Sequence, residues 1–280
     1  MRAWICGAAV ALTFTACSSG APQSASQAAA MGTAQAAPPL VRVVAHDFAF
    51  ADNPTVPAGL VAIRLVNQGH AIHMMGVARL DSNHTVADVY KSFSDPKASL
   101  SFFHEVGGPG AVSPGDSATQ YAVLEPGRYS LICWWPDSTG KPHIEDGMMA
   151  TLTVTGDYAG AAVEPTPDLF VREADYHIAT SGQWTAGHHV MRVDNDGPST
   201  HDVTILRVLP GKTEAQVSAW LNRPTMSDAP VQALGGTVGI DRYGHTEVGV
   251  DLVPGDYLLL CMVGAKPHFM LGMITHMHIS

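Results

Sequence analysis

Apolar and polar positions alternate along most of this chain. Val41-Arg42-Val43-Val44-Ala45, Leu60-Val61-Ala62-Ile63-Arg64-Leu65-Val66 and Gly187-His188-His189-Val190-Met191-Arg192-Val193 have strand character, as does the apolar run Tyr129-Ser130-Leu131-Ile132-Cys133. Turn signals separate the runs, in keeping with 27 Gly and 19 Pro. Only two stretches show helical spacing, Thr85 to Phe93 and Thr213 to Asn222. Asn83 or Thr85 is the capping candidate of the first, and Thr213 that of the second. Short strands that end in Pro-Gly-x-Tyr and an apolar run predict an all-β chain of Greek-key sandwiches with one short helix each.

The pattern occurs twice. His73 and His201 are 128 positions apart, as are Gly107 and Gly235, Tyr129 and Tyr257, and Cys133 and Cys261. Asn67-Gln68-Gly69 matches Asn195-Asp196-Gly197, and Pro126-Gly127 matches Pro254-Gly255. Beyond the cysteines the offset falls to 125, for His143 and His268 and for Met148 and Met273, so the first loop carries three extra residues around Pro136 to Gly140. A constant offset over so many positions predicts two tandem domains. Their expected bounds are 39–156 and 168–280, with a linker over 157–167 that contains Pro165 and Pro167.

Ahead of the first strand, composition changes. Met1-Arg2 begins a largely apolar segment that is too short to span a bilayer. It ends in Thr15-Ala16-Cys17, which resembles a bacterial lipoprotein cleavage box. That resemblance implies export to the cell envelope, as a periplasmic or outer-face protein, with lipid on Cys17. An ordinary signal peptide is the alternative. Residues 1–17 are thus read as a signal, and 18–38, rich in Ala, Gln, Ser, Gly and Pro, as a flexible tether. A net charge of −10 argues against a nucleic-acid partner.

Two of the four cysteines, Cys133 and Cys261, fall in the folded part. An exported protein can pair two such cysteines, but here each sits in the same local setting in its own half. A strand-borne His73 far upstream and a loop carrying Cys133, His143 and Met148 offer two imidazoles, a thiolate and a thioether. His201, Cys261, His268 and Met273 repeat the set. A soft set of this kind suits copper, and two imidazoles with one thiolate and a distant thioether make the blue-copper electron-transfer site. Taken singly, each Cys or Met reads equally well as core filling; all four in order, twice, do not. Met270 is a second candidate beside Met273, and His276 with His278 a second, weaker copper pair.

On these residues both halves resemble cupredoxins, the small blue-copper domains, over roughly residues 40–280. The resemblance implies cupredoxin-like sandwiches with type 1 copper at one end, up to two coppers per chain. It also implies that the second loop histidine lies near the surface and passes electrons to a redox partner protein. Nine residues separate Cys133 from His143 and six separate Cys261 from His268; the longer loop resembles that of copper nitrite reductases. No His adjoins either cysteine, so a coupled catalytic copper is not expected. The chain is read as an electron carrier rather than an enzyme. A copper delivery or sensing lipoprotein is the alternative, ahead of a two-domain copper oxidase or nitrite reductase.

Overall fold

In the computed structural model the alternating runs pair into strands. Leu40–His46 runs parallel to Gly59–Asn67, with Leu40 opposite Ala62. In the second half Leu169–Ala174 runs parallel to Gly187–Asn195, with Leu169 opposite Met191. Ser117–Leu124 is antiparallel to the first of these pairs and His245–Leu252 to the second. The described residues are 37–95, 97–156, 162–222, 228–264 and 266–280. The signal, Cys17, most of the tether and the first part of the linker lie outside them. No helix among the described residues is long and apolar enough to cross a membrane.

The described residues are mostly strand, with two short α-helices. Ser117–Leu124 and His245–Leu252 also pair with each other over Thr119 to Tyr121 and Glu247 to Gly249, which joins strands of both halves into one eight-stranded sheet. Buried Gln120 ties this seam: its Nε2 donates to Thr246 Oγ1 at 2.7 Å and to the Val106 carbonyl at 3.2 Å. A buried amide left without those acceptors would cost about 1–3 kcal/mol, so the seam resists sliding.

Two smaller sheets cover this large one. The five-stranded sheet contains Thr55–Pro57, Gly76–Leu80, Phe103–Glu105, Gly127–Ile132 and Met149–Thr155. Its Val77, Tyr129, Leu131 and Leu152 share a core with Val43, Ile63 and Leu65 of the large sheet. The four-stranded sheet contains His201–Val208, Val231–Ile240, Gly255–Leu260 and Ile274–Ile279. Its Val203, Ile205, Tyr257 and Leu259 pack with Val171, Val193 and Val248.

Period-two geometry then decides where the cysteines go. Tyr129, Leu131 and Cys133 share one face and point into the core, as do Tyr257, Leu259 and Cys261. The opposite faces are covered differently. α1 (Val86–Ser94) puts Val89 over Ile132 in a small separate cluster. α2 (Glu214–Leu221) instead carries Val217, Trp220 and Leu221, with Leu206, Leu258 and Leu260, into the core of the first half. Trp220 lies 6.2 Å from Trp135, ring to ring. Both helices start where expected. The Thr85 N–H donates to Asp88 at 2.9 Å, and the Thr213 N–H to Gln216 at 2.9 Å, each closing a capping box.

The Pro-Gly-x-Tyr motif has a structural purpose. Tyr129 Oη accepts from the Glu125 N–H and donates to the Glu125 carbonyl, and Tyr257 does the same with Val253. These tyrosine corners pin the strand entries.

Candidate metal centres

Each cysteine opens a loop folded by the same four backbone bonds. The Cys133 N–H donates to the Met148 carbonyl and the Met148 N–H returns to His143, while His143 N–H reaches the Trp135 carbonyl and Ile144 N–H the Cys133 carbonyl. In the second loop the pairs are Cys261 to Met273, Met273 to His268, His268 to Val263 and Phe269 to Cys261. Trp135 and Val263 are both the second residue after the cysteine. The three extra residues of the first loop are therefore looped out before the histidine. Asp137 holds them, accepting from the N–H groups of Thr139 (2.7 Å) and Lys141 (3.0 Å). A 3-10 turn follows each time, His143–Asp146 and His268–Leu271.

The upstream histidine arrives by the Asn-x-Gly turn. Asn67 Nδ2 donates to the carbonyls of Ala71 (2.8 Å) and Val112 (2.9 Å), and its Oδ1 accepts from the Gly69 N–H. Asn195 repeats this with Ser199, Ile240 and Gly197. His201 opens a strand as predicted; His73 instead sits in an isolated bridge to Val112, just before Gly76–Leu80.

Among the described residues two His-Cys-His groups converge: His73, Cys133 and His143, and His201, Cys261 and His268. In the first, the two Nδ1 atoms lie 3.2 Å apart, with Cys133 Sγ 3.9 Å from His73 Nδ1 and 3.5 Å from His143 Nδ1. In the second the separations are 3.1, 3.8 and 3.5 Å. A circle through three atoms so spaced has a radius of about 2.1 Å in the first group and about 2.0 Å in the second. First-row metals bond imidazole nitrogen at about 2.0–2.1 Å and thiolate sulfur at about 2.3 Å. The donor atoms are thus spaced to share one ion. Met148 and Met273, the last members of each set, are fully buried, whereas Met270 is 42% exposed.

Outside each triangle stands a carboxylate. His73 Nε2 is 3.3 Å from Asp47 Oδ1, and His201 Nε2 is 2.8 Å from Asp175 Oδ1. With Nε2–H donating outward, Nδ1 keeps its lone pair for the metal. The glycines of the Asn-x-Gly turns make room for this contact. A Cβ on Gly69 would lie 2.5 Å from Asp47 Oδ1 and 2.8 Å from His73 Nε2; on Gly197 the distances to Asp175 and His201 are 2.9 and 3.1 Å. Phe48 and Tyr176, next to these aspartates, each put a ring edge-on 5.0 Å from the loop histidine. Motif reading missed all four residues, yet Asp47 with Asp175 and Phe48 with Tyr176 are 128 positions apart, as the ligands are.

Burial sets the protonation of the metal-free centres. It pushes the Cys133 thiol up to about 12, against hydrogen bonds from the Met74 and Trp135 N–H groups, and raises Cys261 as well. Burial, then the neighbouring His73, lowers His143 to about 4; burial lowers His73 against the pull of Asp47, and burial with His201 lowers His268. Neutral imidazoles are ready donors, and the thiol becomes a thiolate only with a cation beside it.

The two centres differ in what surrounds them. Met74 N–H donates to Cys133 Sγ at 3.5 Å, and Asp202 N–H to Cys261 Sγ at 3.4 Å. So a buried carboxyl occupies the place of a methionine, and burial raises it to about 7 even though it accepts from the Met262 N–H. Glu173 is also buried, at the position matching Ala45. The expectation that the second loop histidine lies near the surface holds for His268 and fails for His143, which is fully buried. Among the described residues His276 and His278 belong to neither His-Cys-His group; they pair with Glu214 and Asp256.

No family model matches the chain, and no curated protein does. Solved structures do resemble it. Reduced auracyanin from Roseiflexus castenholzii is 20% identical over 43% of this chain and 100% of its own, with a TM-score of 0.32. Auracyanin A of Chloroflexus aurantiacus, a blue copper protein, is 19% identical over 42% of this chain and 99% of its own, with a TM-score of 0.32. Copper nitrite reductase from Nitrosomonas europaea is 16% identical over 86% of this chain and 94% of its own, with a TM-score of 0.25.

Proposed function

We propose that this chain binds one type 1 copper at each of two centres and serves as an electron carrier of the cell envelope. His73, Cys133 and His143 would hold one ion and His201, Cys261 and His268 the other, with Met148 and Met273 offering a thioether to each. Bound there, copper supplies one-electron redox chemistry. The observation that carries the reading is the spacing of a thiol and two imidazole nitrogens about a common point, twice. The protein's own part is to keep those donors fixed. Backbone bonds lock each loop, and carboxylates orient the upstream histidines, so both oxidation states meet the same set of atoms.

In this reading the two repeats, 39–156 and 168–280, each carry one centre. Partly exposed His268 exchanges electrons with the partner protein, and Cys17 carries the lipid. Addition of Cu(II) to the metal-free protein tests the copper assignment. Two coppers per chain and an intense blue thiolate-to-copper band are expected, with Cys133→Ser removing half of each. Colourless protein without bound copper refutes it. Mass spectrometry of protein from the native membrane tests the lipid.

A further inference from the structure

A cavity between the two cysteine loops plays no part in the reading above. It holds about 600 Å³, within the range of pockets that take small organic molecules. Four of its wall residues each follow a donor residue in the chain: Met74 after His73, Trp134 after Cys133, Asp202 after His201 and Met262 after Cys261. Whatever binds there sits one residue away from both centres. The wall is largely apolar and aromatic, and no lining residue is Lys, Arg or His. Its charged groups are the carboxyls of Glu105 and Asp202. Glu105 lies over Gly239, where a Cβ would come within 2.9 Å of its Oε2.

These walls select a ligand class. Two carboxyls without a basic neighbour repel carboxylates and phosphates and accept hydrogen bonds from hydroxyl groups. Burial, with the charges of Asp241 and Asp202, pushes Glu105 up to about 7, so it can take up a proton near neutral pH. Trp134, Trp135 and three prolines favour a flat ring. Two one-electron centres flanking one cavity match a donor that gives up two electrons.

We propose that this cavity binds a small neutral aromatic reductant of the hydroquinone class, with hydroxyl groups donating to Glu105 and Asp202, and that one molecule reduces both centres. The binding claim stands on the cavity, and the reduction rests on the copper reading. In the balanced step two O–H bonds break and the ring diol becomes the quinone. One electron goes to each cupric centre, giving two cuprous ones, and the two protons pass to Glu105 and to water.

The test begins with metal-free full-length protein, so that it does not depend on copper. Calorimetry and tryptophan fluorescence are followed on addition of benzene-1,4-diol and, separately, 1,4-dimethoxybenzene, which has the ring but no hydroxyl. The diol is expected to bind and the diether to bind at least about tenfold more weakly, because a site built around a hydroxyl rejects the analogue without it. Met262→Trp, which puts a bulkier side chain into the cavity, should weaken binding in protein shown to be folded by circular dichroism. No binding of the diol, or equal binding of both, overturns the proposal. In a second arm, one equivalent of diol is mixed without air with copper-loaded protein. It should bleach both blue centres, more slowly in Met262→Trp; equal rates overturn the coupling of cavity to centres. Failure to form the blue centres would count against the copper reading alone, since the first arm still decides the cavity.

Discussion

Asp175→Ala is the most direct probe of how the protein holds a metal. The side chain touches no donor atom of the triangle. It acts through His201, whose Nε2 lies 2.8 Å from Asp175 Oδ1, His201 being fully buried and Asp175 partly exposed. Loss of the carboxylate frees the ring to rotate or to take the other tautomer, and leaves a buried N–H without an acceptor. Burial would raise the Asp175 carboxyl, but His201 and Ser199 together hold it below the usual range, so it is ionised at neutral pH. Outer-shell partners of this kind contribute about 10–100-fold in metal affinity, or about 1.4–2.8 kcal/mol at 1.4 kcal/mol per decade. The assay is a copper titration against a competing chelator in a Cys133→Ser background, where only the second centre remains. Affinity should fall at least about tenfold, and Asp175→Asn, which keeps an acceptor oxygen facing His201 Nε2, should restore part of it. An affinity within twofold of the parent would refute the claim that this carboxylate orients the ligand.

Three further predictions follow from the same geometry. His143 should weaken the metal-free protein as pH falls from about 6.5 towards 4, because burial lowers it to about 4 and the unfolded chain takes the proton first. Glu105 and Asp202, raised to about 7, act in the opposite sense over the same window, so the difference in urea midpoint between the parent and His143→Gln at several pH values isolates the histidine's contribution. Reduction of the copper-loaded protein by a small outer-sphere reagent should be at least about tenfold faster in Cys133→Ser than in Cys261→Ser, because His268 is partly exposed and His143 is sealed; stopped-flow rates that agree would refute a closed first centre. Tyr257→Phe should lower stability by about 1–2 kcal/mol through loss of the corner bond to the Val253 carbonyl, seen in thermal unfolding with the far-ultraviolet spectrum unchanged.

Much of this architecture was legible because it is local or repeated. Period two puts Tyr129, Leu131 and Cys133 on one face. An Asn followed two residues later by Gly makes a turn through its own side chain, and capping residues mark both helix starts. None of this requires knowledge of distant partners. The repeat did more: a donor set occurring twice at a constant offset narrowed the candidates to eight residues.

Long-range packing decided the rest. Nothing in the alternation of Ser117–Leu124 or His245–Leu252 foretells that they pair with each other, since any strand edge offers the same backbone groups to any other. Nor does the helical spacing of Glu214–Leu221 say that Trp220 packs towards Trp135 in the other half. From that assembly come the sealing of one loop histidine, the cavity between the loops and the buried carboxyls beside Cys261. Sequence determined which donors the chain carries and how each loop folds, because those depend on neighbours along the backbone. Only the tertiary structure determined how close the donors lie, how wet each centre is and what the two have between them, because distance and burial are set by residues remote in the chain.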